Sequence, residues 1–600
     1  MMNGSGMAFE EPAPRRAHGK PSQIPAYLLA ALIALWAGCI VILASVPPVD
    51  RDALTHHLAV PKLYLKHGGM VEIPSVPFSY YPMNLELLYL IPLYFGNDIV
   101  PKFIHFAFAL LTAWLIYGYL RQRLEKPVWG LLGAFMFLSL PVIVKLSVTV
   151  YVDLGLIFFS TGSLLYLFKW AENGYPPRHL ILSGVFCGLA LGTKYNALIS
   201  LLLLASLVPI LYVRGEKGLS QDRSLHGRVQ PYRGGTGSAR ALRAISLAVL
   251  FVAVALLVYS PWMIRNVLWT GNPLYPLYQG VFSSIQPQPP SATGDVSASG
   301  EADDPSAEEG VNHFVARRLA FNESLLETLT IPIRIFFQGQ DDNPRLFDGR
   351  LNPYLIIFPF FAFLLGKKIK RPLERIERTV LLGFSVLYIL FAFFQTDMRI
   401  RLVGPAIPPL VILSTLGIHH LIRAIKNRAQ QRGRAVFAFG VIGAVLVWFL
   451  GQNLSYVVDQ FRVIDPVSYL AGTLSRDQYI QKYRAEYDVI RYANAHLPPG
   501  EKIFCLFMGN RIYYSDHDML QGDGYFRTAL LQSASAGDIS HRLRRMEVVH
   551  LLVRFDVLTM FGGDFDESAR KRLAGFFQTE VDSVFESRGY GLFRLRGSSS

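Results

Sequence analysis

Charge is scarce in this sequence. Only 17% of its 600 residues are Asp, Glu, Lys or Arg, while 52% are hydrophobic; a soluble globular chain is nearer 25% charged. The mean hydropathy is +0.31, and several apolar runs approach the roughly 20 residues needed to cross a bilayer. A soluble protein is thereby excluded. Cysteine is nearly absent as well. Cys39 and Cys187 lie within apolar runs and Cys505 in a strand-like segment, so there is no disulfide framework and no Cys/His spacing of a structural metal site. The net charge of +14 does not indicate nucleic acid, because the basic residues cluster in short loops between apolar runs.

What is present is a series of about eleven spans, at 24–46, 101–120, 128–147, 152–169, 180–193, 196–213, 245–266, 352–366, 379–395, 402–422 and 435–457. The fold class is an α-helical polytopic membrane protein with a C-terminal soluble α/β domain. Residues 1–22 read as a disordered cytoplasmic tail. The first apolar run follows Arg15, Arg16 and Lys20 and is too long for a cleavable signal, so it reads as a retained anchor. Residues 85–96 are too short to span and contain Glu86; they read as a helix at the interface or re-entering the membrane. Basic residues gather in alternate loops: Arg121, Arg123 and Lys126; seven from Arg214 to Arg243; six from Lys367 to Arg378; five from Arg423 to Arg434. The N-terminus is then cytoplasmic and the C-terminal region outside. The membrane domain covers 23–457. Its outer loop 267–351 holds a Pro-, Ser- and acid-rich insert near 281–310 without apolar periodicity, expected to be disordered.

The tail, 458–600, reads as a small α/β domain. Tyr487 to His496 predicts a helix stopped by Leu497-Pro498-Pro499-Gly500, and Lys502–Met508, Val548–Arg554 and Gly589–Leu595 predict strands. It carries no nucleotide fingerprint.

Asp52 lies just outside the first span, in Asp50-Arg51-Asp52-Ala53-Leu54-Thr55-His56-His57-Leu58. The following stretch is amphipathic, with Leu54, Leu58 and Leu63 expected to face lipid, which would hold a carboxylate at headgroup depth. A solvated loop acid beside Arg51 is the plain alternative. Asp50 rivals Asp52 for the same role, and a DxD pair is a weak motif for a divalent ion. Asp153 opens a later span on the same side, either as a helix N-cap or as part of a shared site. Lys194 either snorkels or holds a phosphate. Arg399 and Arg401 sit at an outer boundary against the positive-inside bias, and guanidinium suits phosphate. His56 and His57 could orient substrate or act as bases; adjacent His point to different faces of a helix and make no metal clip. Arg265 and Asn266, in Ser260-Pro-Trp-Met-Ile-Arg265-Asn266, read mainly as architecture, with headgroup contact as the alternative.

These residues together resemble the C-type (GT-C) superfamily of membrane glycosyltransferases, which includes protein mannosyltransferases and aminoarabinose transferases. The resemblance runs from about 25 to 425 through Asp52-Ala-Leu-Thr-His-His57, Tyr151-Val-Asp153-Leu, Gly192-Thr-Lys194-Tyr195, Pro261-Trp-Met-Ile-Arg265-Asn266 with Gly271-Asn272-Pro273, and Arg399 to Pro405 with Pro408 and Pro409. It implies that Asp52 is the catalytic base, that Asp153 assists, and that the Arg399 region holds a lipid phosphate. His56 stands where an aromatic residue is common. The implied donor is a polyprenyl-phosphate-linked sugar. The implied acceptor is a glycan, lipid or protein at the outer face of a bacterial inner membrane. No cofactor is certain, and a divalent metal remains open. The alternative class is a transporter or flippase of lipid-linked sugars; it is disfavoured by acids at the boundary rather than mid-membrane and by the lack of an internal repeat. A third reading, a non-catalytic scaffold, predicts that replacing the acids changes no glycan.

Overall fold

The computed structural model describes residues 23–221, 237–282, 313–366, 372–395, 398–428, 432–563 and 565–597. The expected N-terminal tail, 1–22, and most of the insert near 281–310 lie outside these residues. Among the described residues, eight helices are long and apolar enough to cross a membrane, beginning with Ile24–Ala44 and ending with Val436–Ile464. The remaining expected spans are helices of another kind. Pro127–Leu138 and Pro141–Ser147 form one pair bent by 69°, and Pro177–Leu191 and Tyr354–Leu364 are shorter apolar helices. Leu140-Pro141 accounts for the bend: Leu140 is extended, as a residue before proline prefers.

Ion pairs give the direction of the helices. Arg123, near the end of Val100–Leu124, bonds Glu172 at the end of Asp153–Glu172 (2.8 Å) and Glu377 near the start of Pro372–Gln395 (2.6 Å). At the opposite ends, Asp153 meets Lys194 and Arg401 meets Asp52. Helix Pro177–Leu191 therefore runs from one end of the bundle to the other, despite its 15 residues.

Close helix packing depends on glycine. A Cβ on Gly417 would stand 2.0 Å from the Phe358 carbonyl oxygen, whereas one on Gly383 would meet nothing within 4 Å. Gly417→Ala is expected to destabilise by at least about 1–3 kcal/mol, because backbone cannot yield as a side-chain tip can. Gly383→Ala should be neutral or stabilising by about 0.5–1 kcal/mol, since it removes a mid-helix glycine. Thermal unfolding of the detergent-solubilised variants separates the two; equal melting temperatures would contradict this packing.

Helix Asn84–Tyr94 is the short element expected at the interface. It leaves Leu87, Leu88 and Ile91 exposed and buries Leu85, Glu86 and Tyr89. The outer loop also contains helices His313–Phe321, Leu325–Leu329 and Ile331–Arg334, which the sequence reading lacked. Leu325, Leu326, Leu329, Ile333 and Phe337 are exposed along it, an apolar surface suited to the headgroup boundary.

The last long helix, Arg432–Ile464, continues past its expected end at 457 and delivers the tail. Five strands form one sheet: β1 (Lys502–Leu506), β2 (Asp518–Gln521), β3 (Val548–Arg554), β4 (Val581–Ser587) and β5 (Tyr590–Leu595), in the order β2-β1-β3-β5-β4. The first three are parallel, and β5 runs antiparallel to both β3 and β4. β2 is only four residues long and β4 is a polar edge, so neither has an apolar signature. Alternate residues of β1 face opposite cores: Ile503 and Cys505 pack with Val489 and Ile490 of helix Tyr487–His496, and Phe504 and Leu506 with Phe526, Leu530 and Leu543. The result is three layers, helix on sheet on helices.

This domain sits on the lip where the first span ends. The amides of Ile512 and Tyr513 both donate to the Leu54 carbonyl, at 3.2 and 3.1 Å. The Tyr514 hydroxyl donates to Pro48 O (2.7 Å), and Arg484 donates to Val49 O. Arg476 pairs with buried Asp98 at 2.5 Å. Leu54 and Leu58 are consequently buried at 2% and 0% exposure. The expectation that they face lipid is corrected: they pack beneath Tyr513.

Candidate active site

Asp52 precedes a π-helical turn, Ala53–His57, closed by Leu58 N–H donating to Ala53 O at 2.9 Å. A π turn is wider than an α turn, so residues four and five positions on stand beside the first. His56 and His57 therefore flank Asp52. Their rings lie 4.0 Å apart, which corrects the expectation that the two would diverge across a helix. His56 also stacks on Phe78 at 4.4 Å. The His57 Nδ1 is 2.8 Å from Glu86 Oε1, and both residues are buried.

Two acid–base pairs face this turn. Arg401 Nη1 donates to Asp52 Oδ2 at 2.5 Å, with its guanidinium over the Tyr151 ring at 5.0 Å. Lys194 Nζ donates to Asp153 Oδ1 at 2.7 Å. The Asp52 and Lys194 side chains keep 23% and 20% of their surface exposed, while Asp153 keeps 1%. Asp153 is thus reached through Lys194. It does not cap its helix: Val152 holds the cap position without a side-chain bond, and the Leu154 amide donates to His105 Nε2 at 3.0 Å. The N-cap reading of Asp153 is corrected by that imidazole, which satisfies the helix end in its place.

The groups act on one another's charge. Burial pushes the Asp52 carboxyl up, but the Arg401 guanidinium outweighs it and holds the group far below the usual carboxylate range. Burial, aided by the neighbouring cations, depresses both imidazoles, His57 to about 3, so both are neutral. Burial raises Glu86 to about 8. Asp153 and Arg401 also lie within each other's field. Asp52, His56, His57, Glu86, Asp153, Lys194 and Arg401 thus form one cluster at the end of the bundle where the C-terminal domain sits. Within it Glu86 Oε2, Asp153 Oδ2, His56 Nδ1 and Arg401 Nε are buried with no hydrogen-bond partner among the described residues. Such atoms are costly in a closed core, at about 1–3 kcal/mol each, and call for an explanation beyond packing.

The other sequence candidates stand apart. Arg399 faces Asp348 at 3.9 Å. Asp50 is half-buried and acts on Lys102, Lys145 and Tyr151. Asp52 is paired with Arg401, whereas Asp50 acts on the two lysines. Among the described residues no group of three or more His, Cys, Asp or Glu is placed to hold a metal ion. Asn266 is fully buried and donates to Tyr80 O at 3.0 Å; Arg265 donates to Tyr80 O and Tyr81 O and lies between Trp262 and Trp269, at 4.6 and 4.8 Å. The headgroup reading of Asn266 is corrected, because its side chain is spent on the loop that carries Phe78 and Tyr81. Glu86 is the site residue that sequence reasoning passed over. Its signal was visible, a lone acid in the apolar run 85–96, but it served only to argue against a span.

An apolar cavity of about 480 Å³ opens between Pro332–Phe336 and the helices Tyr354–Leu364 and Pro372–Gln395, and reaches Leu410. Leu410 follows Arg401 by nine residues along the same element.

The model of the family described as dolichyl-phosphate-mannose-protein mannosyltransferase matches residues 87–223. Among solved structures, ArnT from Cupriavidus metallidurans bound to undecaprenyl phosphate superposes with a TM-score of 0.51 and 14% identity, over 95% of this chain and 98% of that one. The chain shares the fold of ArnT, and its residues 87–223 match the mannosyltransferase family model. The archaeal oligosaccharyltransferase AglB from Archaeoglobus fulgidus, in complex with an inhibitory peptide and a dolichol-phosphate, gives a TM-score of 0.46 at 10% identity, over 95% of this chain and 75% of that one. No curated protein sequence matches the chain. The chain combines a multi-helix domain with an α/β tail, and the acid cluster lies where those two parts meet.

Proposed function

We propose that this protein transfers a sugar from a polyprenyl-phosphate-linked donor to an acceptor hydroxyl at the outer face of a bacterial inner membrane, with inversion and with Asp52 as base. The observation that carries this reading is the pairing of Asp52 with Arg401 beside that of Asp153 with Lys194. Two carboxylates and two cations stand together there, the kinds of group that a displacement at a phosphate-linked sugar needs.

The acceptor oxygen attacks the anomeric carbon as its proton passes to Asp52. The bond from that carbon to the phosphate oxygen breaks, and its electron pair leaves with the phosphate. The transition state resembles an oxocarbenium ion. Negative charge grows on the phosphate, and Arg401 stabilises it through Nε, which has no acceptor among the described residues. Lys194 adds a second cation, and Asp153 fixes its position. The apolar cavity beside the Arg401 element suits the prenyl chain. An ArnT-like fold, seen there with undecaprenyl phosphate, supports the same donor class. The acceptor is a glycan, lipid or protein, and the N-terminus lies on the cytoplasmic side.

Mass comparison of envelope glycolipids and glycoproteins from a deletion strain tests the proposal. One hexose or pentose unit should be missing, and plasmid-borne wild type should restore it. Unchanged glycans would sink the transferase reading, and a lipid-linked sugar trapped on the inner leaflet would instead favour a flippase.

A further inference from the structure

We propose that His57 and Glu86 form a proton relay for the transfer, with Glu86 as a positioning carboxylate that receives, through the His57 imidazole, the proton Asp52 takes from the acceptor. The proposal rests on the reading of Asp52 as base and adds what that reading leaves open. His57 and Glu86, bonded to each other beside the base, offer that proton a place to go within the protein.

The geometry supplies the path. The π turn puts His57 five residues from Asp52 on the same side, and each lies in the other's field. The other edge of the ring is fixed, because Nδ1 is 2.8 Å from Glu86 Oε1. His57 and Glu86 are 5% and 3% exposed, so the proton cannot pass to water from the ring itself. Glu86 Oε2 is buried with no partner among the described residues, a second carboxylate oxygen free to turn toward the proton or the acceptor. The charged groups facing the pair are Asp52, Asp153, Lys194, Arg265 and Arg401. The other titratable groups around the pair are His56, Tyr151, His105, Tyr64 and Tyr89.

The balance is simple. The acceptor O–H bond breaks and its proton passes to Asp52, then to His57 Nε2. The Nδ1 proton moves to Glu86 Oε1, and the imidazole ends neutral in its other tautomer. Nothing is oxidised or reduced. The relay works only when Glu86 begins as a carboxylate accepting from Nδ1–H; a protonated Glu86 donates to Nδ1 and blocks it. Glu86 loses its proton near pH 8. Transfer should therefore rise with pH, about tenfold per unit, and level off above about 8.

The test is the pH profile of kcat for the full-length protein in proteoliposomes, with a polyprenyl-phosphate-linked sugar as donor. Glu86→Gln should abolish the limb near pH 8 and lower plateau kcat about 10–100-fold, with the donor KM within about twofold of wild type. Glu86→Asp should keep a limb at reduced rate. His57→Gln, which keeps a donor toward Glu86 but cannot relay, should also lose the limb, and it stands in if Glu86→Gln does not assemble. A wild-type-shaped profile in Glu86→Gln or His57→Gln overturns the relay. If Asp52→Asn transfers at the wild-type rate, the base assignment fails instead; loss in Asp52→Asn with an unaltered Glu86→Gln profile removes the relay alone.

Discussion

Asp52→Asn is expected to lower kcat about 10²–10⁴-fold, the range that a positioned general base contributes, while the donor KM changes little. The amide keeps the size of the carboxylate and can still accept from Arg401, so the turn Ala53–His57 and the clamp on the Leu54 carbonyl should persist. What the amide cannot do is take a proton. Asp50→Asn is the matched control. It removes the neighbouring acid of the same three-residue motif, whose field falls on Lys102 and Lys145, and it should leave transfer within about threefold of wild type. Labelled-sugar transfer by purified variants, with monodispersity checked by gel filtration, gives both numbers. If Asp50→Asn is the silent enzyme and Asp52→Asn the active one, the base has been assigned to the wrong acid.

The second large effect falls on Arg401. Arg401→Gln should cost about 10²–10³ in kcat, the loss seen when one donor to a developing anion is removed. Two contributions combine here: the cation that would meet the departing phosphate disappears, and the half-buried Asp52 is left without its 2.5 Å partner. Lysine should restore only part of the loss, since it lacks the planar fork and does not stack on Tyr151 as the guanidinium does. The Asp52→Asn, Arg401→Gln double variant should be much less damaged than the two losses multiplied, because the residues act as one unit. Arg399→Gln, whose partner is Asp348, should stay within about threefold. Equal losses at 399 and 401 would mean that both arginines grip the phosphate.

Much of the architecture was legible because membrane insertion is written locally. A run of apolar residues bounded by Lys and Arg marks a helix wherever it occurs, and each of the eleven expected spans is a helix, though the pair ending at Ser147 is bent and two others are short. The tail helix Tyr487–His496 and strand Val548–Arg554 were equally local. β2 and β4 were not, since a four-residue strand and a polar edge exist only by pairing with β1 and β5. Leu54 and Leu58 were assigned to lipid because amphipathicity shows that a face is buried without showing what buries it. The answer was a loop more than 450 residues away.

The site divides in the same way. The residue types at the site, acids, histidines and arginines at the ends of apolar runs, came from sequence alone, because charge at a membrane boundary is costly enough to stand out. Which of them meet was decided by the tertiary structure: Arg401 with Asp52 across 349 residues, Lys194 with Asp153 across 41, His57 with Glu86 across 29. Hydropathy fixes how far each helix lies across the bilayer but not its rotation or its neighbours. Those follow from side-chain packing between helices, and that packing separates Arg401 from Arg399 and turns a passing glutamate into part of the site.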